Sequence, residues 1–253
     1  RQKTDALGRI VRVDEPGSNG SLGTVDSPLQ PTFYQYNTQG NLIAISQGLS
    51  QQNVNPEDPA NYIQHRYFKY DALGRLTYER QVEQAGTFTA SDPLTPNTSW
   101  SRKLIYDETI NSVNYAGLLT SAYDARNIQT QFRYDNLSRI YQVNYSDSTP
   151  TVTNYYDQAS TGYFNKGRLT QASTAAVGSI PATSQSYNFD LMGRVANNQQ
   201  TVSDQNYTMT YSYNLGGALT SQQYPSGRVV NYAFDDAARL SQVSSGSTVS
   251  ANQ

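Results

Sequence analysis

The stretch Tyr70-Asp71-Ala72-Leu73-Gly74-Arg75-Leu76 comes back along the chain, and a recurring motif constrains a fold more than any bulk property does. The same frame occurs as Asp5-Ala6-Leu7-Gly8-Arg9-Ile10, Phe189-Asp190-Leu191-Met192-Gly193-Arg194-Val195 and Tyr213-Asn214-Leu215-Gly216-Gly217-Ala218-Leu219. Ahead of it, aromatics alternate: Phe68 and Tyr70, Phe132 and Tyr134, Tyr187 and Phe189, Tyr211 and Tyr213, Tyr232 and Phe234. Residues two apart share one face of a strand, so each pair predicts an aromatic stripe. Asp-x-x-Gly is turn chemistry. The carboxylate accepts nearby backbone N–H groups, and Gly takes positive φ without steric cost. Arg-Leu or Arg-Val then opens a return strand. Each unit therefore reads as a β-hairpin, a type I turn followed by a glycine bulge.

Degenerate copies keep this logic. Where Gly is missing, Asn127, Ser138 and Ala238 replace it, after Tyr123-Asp124, Tyr134-Asp135 and Phe234-Asp235. Where Asp is missing, Asn37 (between Tyr36 and Gly40), Asn214 and Pro225 stand in, the last in Tyr224-Pro225-Ser226-Gly227-Arg228. Tyr106-Asp107 and Tyr156-Asp157 read as copies with lengthened turns, the second closing at Gly167-Arg168. Gaps between Tyr36, Tyr70, Tyr106, Tyr123, Tyr134 and Tyr156 are 34, 36, 17, 11 and 22 residues. That irregularity excludes a solenoid of fixed rungs and suits hairpins of variable length added side by side to one sheet.

These residues resemble the YD-repeat, or RHS-repeat, family, whose signature is Tyr-Asp-x-x-Gly-Arg-Leu, often followed by Thr as in Leu76-Thr77 and Leu169-Thr170. The resemblance runs from Asp5 to about Val243 in about ten copies. It implies an all-β fold in which tandem hairpins form a continuous, spiralling antiparallel sheet, part of a hollow β-shell. It also implies settings such as bacterial toxin shells, wall-associated surface proteins and animal teneurins. Toxin members end their repeats with an Asp-Pro-x-Gly-Leu segment followed by cleavage aspartates. Here Asp92-Pro93-Leu94 lies mid-chain and lacks the Gly, so no autoproteolytic residues carry over.

Leu, Ile, Val and Phe together make up only about 19% of the 253 residues, a share typical of disorder. The net charge of −2 and 21 tyrosines oppose that reading. Buried tyrosine is expected to supply the missing core area, each ring removing about 150–250 Å² from water. Arginine outnumbers lysine 14 to 4. Half of the arginines follow the turn: Arg9, Arg75, Arg139, Arg168, Arg194, Arg228 and Arg239. A cationic row could serve an acidic glycan or nucleic acid. The better expectation is that each guanidinium stacks on aromatic rings and pairs bidentately with its motif Asp. The slightly acidic balance argues against nucleic acid.

No cysteine is present, so no disulfide or thiolate metal site is expected. No apolar run is long enough for a membrane span. The Ser, Thr, Asn and Gln content suggests a secreted or cell-surface protein, bacterial by its resemblance, and the start at Arg1 suggests a fragment of a longer chain. Residues 1–253 read as a single repeat region with polar surface loops near 14–31, 46–61, 84–99 and 173–184, and proline pairs stiffen the first three. No helix is expected.

Chemistry is sparse. The lone His65 excludes a two-histidine metal site, and Asp235-Asp236 on a strand would point to opposite faces. No calcium loop, phosphate loop or nucleophile elbow occurs. Asn97-Thr98-Ser99 and Asn206-Tyr207-Thr208 match glycosylation acceptors. The expectation is a non-enzymatic scaffold without cofactors that encloses or displays another polypeptide. Its partners would be flanking repeats and an enclosed C-terminal chain, with possible self-association through open sheet edges. A glycan-binding adhesin, with exposed tyrosine rows and a cell-surface receptor, and an extracellular fibre are the alternatives.

Overall fold

The computed structural model describes residues 1–51, 54–84, 86–89 and 99–247. Parts of the loops at 46–61 and 84–99, including Asp92-Pro93-Leu94, Pro96 and Asn97-Thr98, lie outside the described residues, as does the tail beyond 247. The chain divides into two compact units, Arg1–Thr130 and Gln131–Gln253.

Unit 1 contains β1 (Gln2–Thr4), β2 (Ile10–Glu15), β3 (Gln30–Tyr36), β4 (Leu42–Leu49), β5 (Tyr62–Tyr70), β6 (Leu76–Arg80), β7 (Phe88–Thr89), β8 (Ser99–Trp100), β9 (Arg102–Tyr106), β10 (Thr109–Ile110), β11 (Val113–Asn114) and β12 (Leu119–Tyr123). The division falls within β13 (Gln129–Tyr134). Unit 2 contains β14 (Ile140–Tyr145), β15 (Val152–Tyr156), β16 (Leu169–Thr174), β17 (Thr183–Phe189), β18 (Val195–Val202), β19 (Gln205–Tyr213), β20 (Leu219–Gln223), β21 (Arg228–Phe234) and β22 (Leu240–Ser247).

Unit 1 is an antiparallel meander in the order β1-β2-β3-β4-β5-β6-β9-β12. Unit 2 is another, β14 through β22 in sequence order. The expected all-β, hairpin-built architecture is therefore what the chain adopts. Among the described residues the one helical element is a 3₁₀ turn at Pro59–Asn61, capped by the Asp58 carboxylate on the Ala60 N–H.

In an antiparallel meander successive connections alternate between the two ends of the strands. In unit 1 the turns at 5–9, 37–41, 71–75 and 107–118 share one end, and the long loops after β2, β4 and β6 share the other. In unit 2 the turns at 157–168, 190–194, 214–218 and 235–239 share one end. The Asp124 turn of unit 1 and the 224–228 turn of unit 2 break the rule and sit at the loop end of their units. The gap of 17 residues before Tyr123 is a change of sheet end, not a shortened repeat.

Burial is thin, and the tyrosine-core expectation is corrected here. Among the described residues only Tyr62 and Tyr115 of the tyrosines are buried, and the rest are half-buried or exposed. Unit 1 holds most of the buried side chains. There the short β7–β8 ladder brings Phe88 to Tyr123 (5.9 Å, edge-on) and the fully buried Trp100 to Tyr78 (5.7 Å). Several small hydroxyl residues (Ser46, Ser101, Thr120 and Ser121) are fully buried. Thr120 bonds the Ile105 carbonyl and, with Ser121, the Glu108 carboxylate. Unit 2 repeats the device with Thr170, which bonds the Tyr155 carbonyl and the Gln158 side chain.

Candidate functional site

Every regular motif turn is built alike. In Asp71–Arg75, the Gly74 N–H donates to the Asp71 carbonyl (3.0 Å) and the Asp71 N–H to the Arg75 carbonyl (3.0 Å). Gly74 sits at φ +77, and farther along the ladder the register shifts between Lys69 and Tyr70. This is the expected type I turn with a glycine bulge. Asp71 Oδ1 accepts the N–H groups of Leu73 and Arg75 (both 2.9 Å), and Oδ2 accepts Arg75 Nε (2.7 Å). Asp5, Asp135 and Asp235 repeat all these contacts, and Asp190 holds the Arg194 N–H and Nε in the same way. Asn37 and Asn214 keep the backbone acceptor and lose the ion pair. Burial tends to raise the Asp71 carboxyl, but the Arg75 N–H and guanidinium and the Leu73 N–H outweigh it and hold the group below the ordinary carboxylate range.

The lengthened copies close differently. Asp107 and Asp157 adopt positive φ (+62 and +61), and each Oδ1 accepts the N–H of a glycine ten residues on, Gly117 and Gly167 (both 2.5 Å). Two motif assignments need correction. In Asn214–Ala218 it is Gly217 (φ +88), not Gly216, that takes the turn-closing conformation. In 224–228 the N–H of Tyr224 bonds the Arg228 carbonyl and Gly227 bonds Tyr224, so Tyr224 fills the Asp position and Pro225 the next. Proline has no N–H and cannot donate that closing bond. Where Gly is absent, Asn127, Ser138 and Ala238 take φ +63, +59 and +59.

The arginines stitch one hairpin to the next. Arg9 lies over the Tyr36 ring (4.7 Å), Arg75 over Tyr106 (4.4 Å), Arg139 over Tyr156 (4.2 Å), Arg168 over Phe189 (5.1 Å) and Arg194 over Tyr213 (4.6 Å). In each case the ring belongs to the following hairpin. Arg75 also grips Asp107 with both terminal nitrogens (3.1 and 2.5 Å), and Arg139 reaches Asp157 (2.9 Å). For Arg75 the bidentate partner is thus the next repeat's aspartate. For Arg9, Arg139, Arg194 and Arg239 the repeat's own Asp takes Nε and one terminal nitrogen on a single oxygen. Paired to Asp107 and Asp71, the Arg75 guanidinium is held above its ordinary range. Tyr36, Tyr156 and Tyr213 complete the link by donating their hydroxyls to the carbonyls of Ile10, Ile140 and Val195, each the residue after the stacked arginine. No signal within one motif copy shows this coupling; it follows only once adjacent hairpins are laid side by side.

Other motif positions fall outside the ladder. Tyr70 and Phe234 close their strands beside slots filled by Asn41 and Ala218, which carry no guanidinium. Tyr123 instead lies beneath Lys103 (5.4 Å). Arg228 bonds the Ser245 hydroxyl, and Arg168 the Phe164 carbonyl (3.3 Å). Elsewhere in unit 1, buried Arg12 and Asp14 form an ion pair, with Nε 2.9 Å from Oδ1 and Nη2 donating to Oδ2 (3.4 Å), joined by Arg1 and Glu57. This cluster borders a cavity of about 320 Å³ lined also by Lys3, Val25 and Asp26. Lys3 pairs with Glu57, and Arg1 and Arg12 pair with Asp14. Nearby, burial pushes the Tyr62 hydroxyl up to about 12, with Arg12 opposing and Asp14 and Glu57 reinforcing.

His65 is fixed structurally. Its Nε2 meets the Tyr62 carbonyl (3.0 Å), its Nδ1 meets the Ser46 hydroxyl (3.0 Å), and its ring stacks on Tyr67. Ser46 has no solvent exposure. Among the described residues no cluster of His, Asp or Glu could hold a metal, and no helix is long and apolar enough to cross a membrane.

These features define a class: an antiparallel β-hairpin repeat protein, its hairpins coupled by Asp–Arg–aromatic links. No family model and no curated protein matches the sequence. Among solved structures, the chain is similar to the Photorhabdus luminescens Tc holotoxin pore at 12% identity and a TM-score of 0.48, covering 98% of this chain and 14% of that one. It is similar to the TcdB2-TccC3-Cdc42 structure at 12% identity and 0.49, with the same coverages, and to TcdB2-TccC3 at 13% and 0.42, covering 98% and 16%. The chain therefore spans only a small part of the chains it matches.

Proposed function

We propose that this chain is a non-catalytic scaffold, a run of hairpin repeats of the RHS type that helps enclose or display another polypeptide outside the cell. One observation carries the reading. The arginines, aspartates and tyrosines that recur most often are engaged in turn closure and hairpin-to-hairpin links. A repeat that spends its charged groups on its neighbours builds a wall. The motif resemblance supports the same role. The Ser46–His65 contact is a packing feature in this reading, because the hydroxyl is inaccessible and the far imidazole nitrogen is tied to a main-chain carbonyl.

The test is peptide mapping and intact-mass analysis of the parent polypeptide from its native source, after limited proteolysis. A separate polypeptide that co-purifies without covalent linkage and resists protease until the repeats are denatured supports enclosure. A single protease-accessible chain that carries no protected segment sinks it.

A further inference from the structure

The last hairpin of unit 2 is finished on one side only. Arg239 is held as its counterparts are, by Nε and a terminal nitrogen on Asp235 (both 2.8 Å). Yet its side chain is 79% exposed, against 30% for Arg9, 23% for Arg75, 24% for Arg139 and 27% for Arg194. The difference is the ring: among the described residues none lies over Arg239. In the other four a strand from the next hairpin lays an aromatic over the guanidinium at 4.2–4.7 Å. Beside Arg239, β22 pairs with β21 along its whole length, and Leu240 and Val243 are 55% and 54% exposed.

We infer that this edge is a recognition surface for one further β-hairpin of the same repeat type, not among residues 1–253, whose incoming strand ends in Tyr-Asp. The internal copies specify each contact. The ring would cover Arg239, as Tyr156 covers Arg139. Its hydroxyl would donate to the Leu240 carbonyl, as Tyr156 does to Ile140. The following Asp would share the Nη2 that already pairs with Asp235, as Asp157 shares Arg139 Nη2 with Asp135. The socket is already organised by Asp235, so little side-chain freedom remains to be lost on docking. A second copy of this chain does not fit this pattern, because β1 enters its turn through Thr4 and brings no ring. Main-chain pairing along β22 supplies affinity, and the Tyr-Asp step supplies selectivity.

This inference rests on the scaffold reading for its context, but its test is independent of parent-chain processing. A labelled, head-to-tail cyclised hairpin peptide copying Thr183–Val202 with Phe189→Tyr is titrated against residues 1–253 and followed by fluorescence anisotropy. Saturable binding is expected. Alanine in place of that tyrosine weakens it roughly tenfold, and Arg239→Ala in the protein weakens it equally, with no further loss when both are combined. Arg239 is exposed at the sheet edge, and an unchanged circular dichroism spectrum checks that its variant is folded. Equal binding of tyrosine and alanine peptides, retained preference in Arg239→Ala, or no saturable binding overturns the inference. So does self-association of the unmodified chain that Arg239→Ala abolishes, which would make a second copy the occupant. If the titration fails while a protected polypeptide still co-purifies from the native source, the edge inference falls and the scaffold reading stands.

Discussion

Asp71 satisfies two backbone N–H groups and one guanidinium within five residues, which is why the motif places a carboxylate there. Asp71→Ala removes all three acceptor contacts and should cost about 1–2 kcal/mol in urea unfolding. Asp71→Asn should cost clearly less, because Asn37 and Asn214 already hold the same backbone bonds. Equal losses for the two variants would mean that the ion pair, not the turn, dominates. Ala238 offers the converse case. It sits at φ +59, where its Cβ is crowded and Gly is not. Ala238→Gly should therefore stabilise unit 2 by about 1 kcal/mol despite the added chain entropy of glycine. An unchanged or lowered urea midpoint would show that the crowding is relieved elsewhere.

At the scale of the hairpin, thin burial is supplemented by coupling to the next hairpin. The Arg139–Tyr156 pair is the cleanest case, with the ring at 4.2 Å and the hydroxyl on the Ile140 carbonyl. A double-mutant cycle with Arg139→Ala and Tyr156→Leu should return a coupling of about 0.5–1 kcal/mol. Additivity within a few tenths would mean that the stack contributes nothing beyond the two side chains separately. The hairpins, the type I turns and the positive-φ substitutes Asn127, Ser138 and Ala238 were all legible in the sequence, because turn closure depends on residues at most four apart. The errors came where two frames fit one string. Gly216-Gly217 offers two glycines, and only the backbone bond to Asn214 selects the second. Tyr224-Pro225 offers an aromatic where the pattern wants one, but the closing N–H must come from a residue that has one. The sheet end occupied by each turn was illegible from spacing, since it depends on how many strands intervene. The owner of each stacked ring was illegible for the same reason: Arg139 and Tyr156 are 17 residues apart and meet only across a strand pair.

At the scale of the whole chain, the two units share one electrostatic dependence. Four aspartates in unit 1 (Asp5, Asp71, Asp107 and Asp124) and four in unit 2 (Asp135, Asp157, Asp190 and Asp235) are held below the ordinary value of 3.8. The causes differ in rank. For Asp107 and Asp157 the arginine of the preceding hairpin leads, and for Asp135 the Arg139 backbone N–H does. The sign is the same throughout. A carboxyl with a depressed folded value binds fewer protons folded than unfolded near pH 4, so acid favours the unfolded chain. The stabilisation is fully present above 3.8 and fades as the pH falls through the lower folded values. Screening limits each contribution, because these groups lie near solvent. The urea midpoint should therefore stay level from pH 7 to about 5 and fall progressively below about 4. Asp71→Asn combined with Asp190→Asn should flatten that fall, since neither amide titrates. A midpoint that holds level down to pH 3 in the unmodified chain would show that the carboxylates close turns without being needed in their charged form. The links between hairpins would then rest on the rings and the main-chain ladder alone.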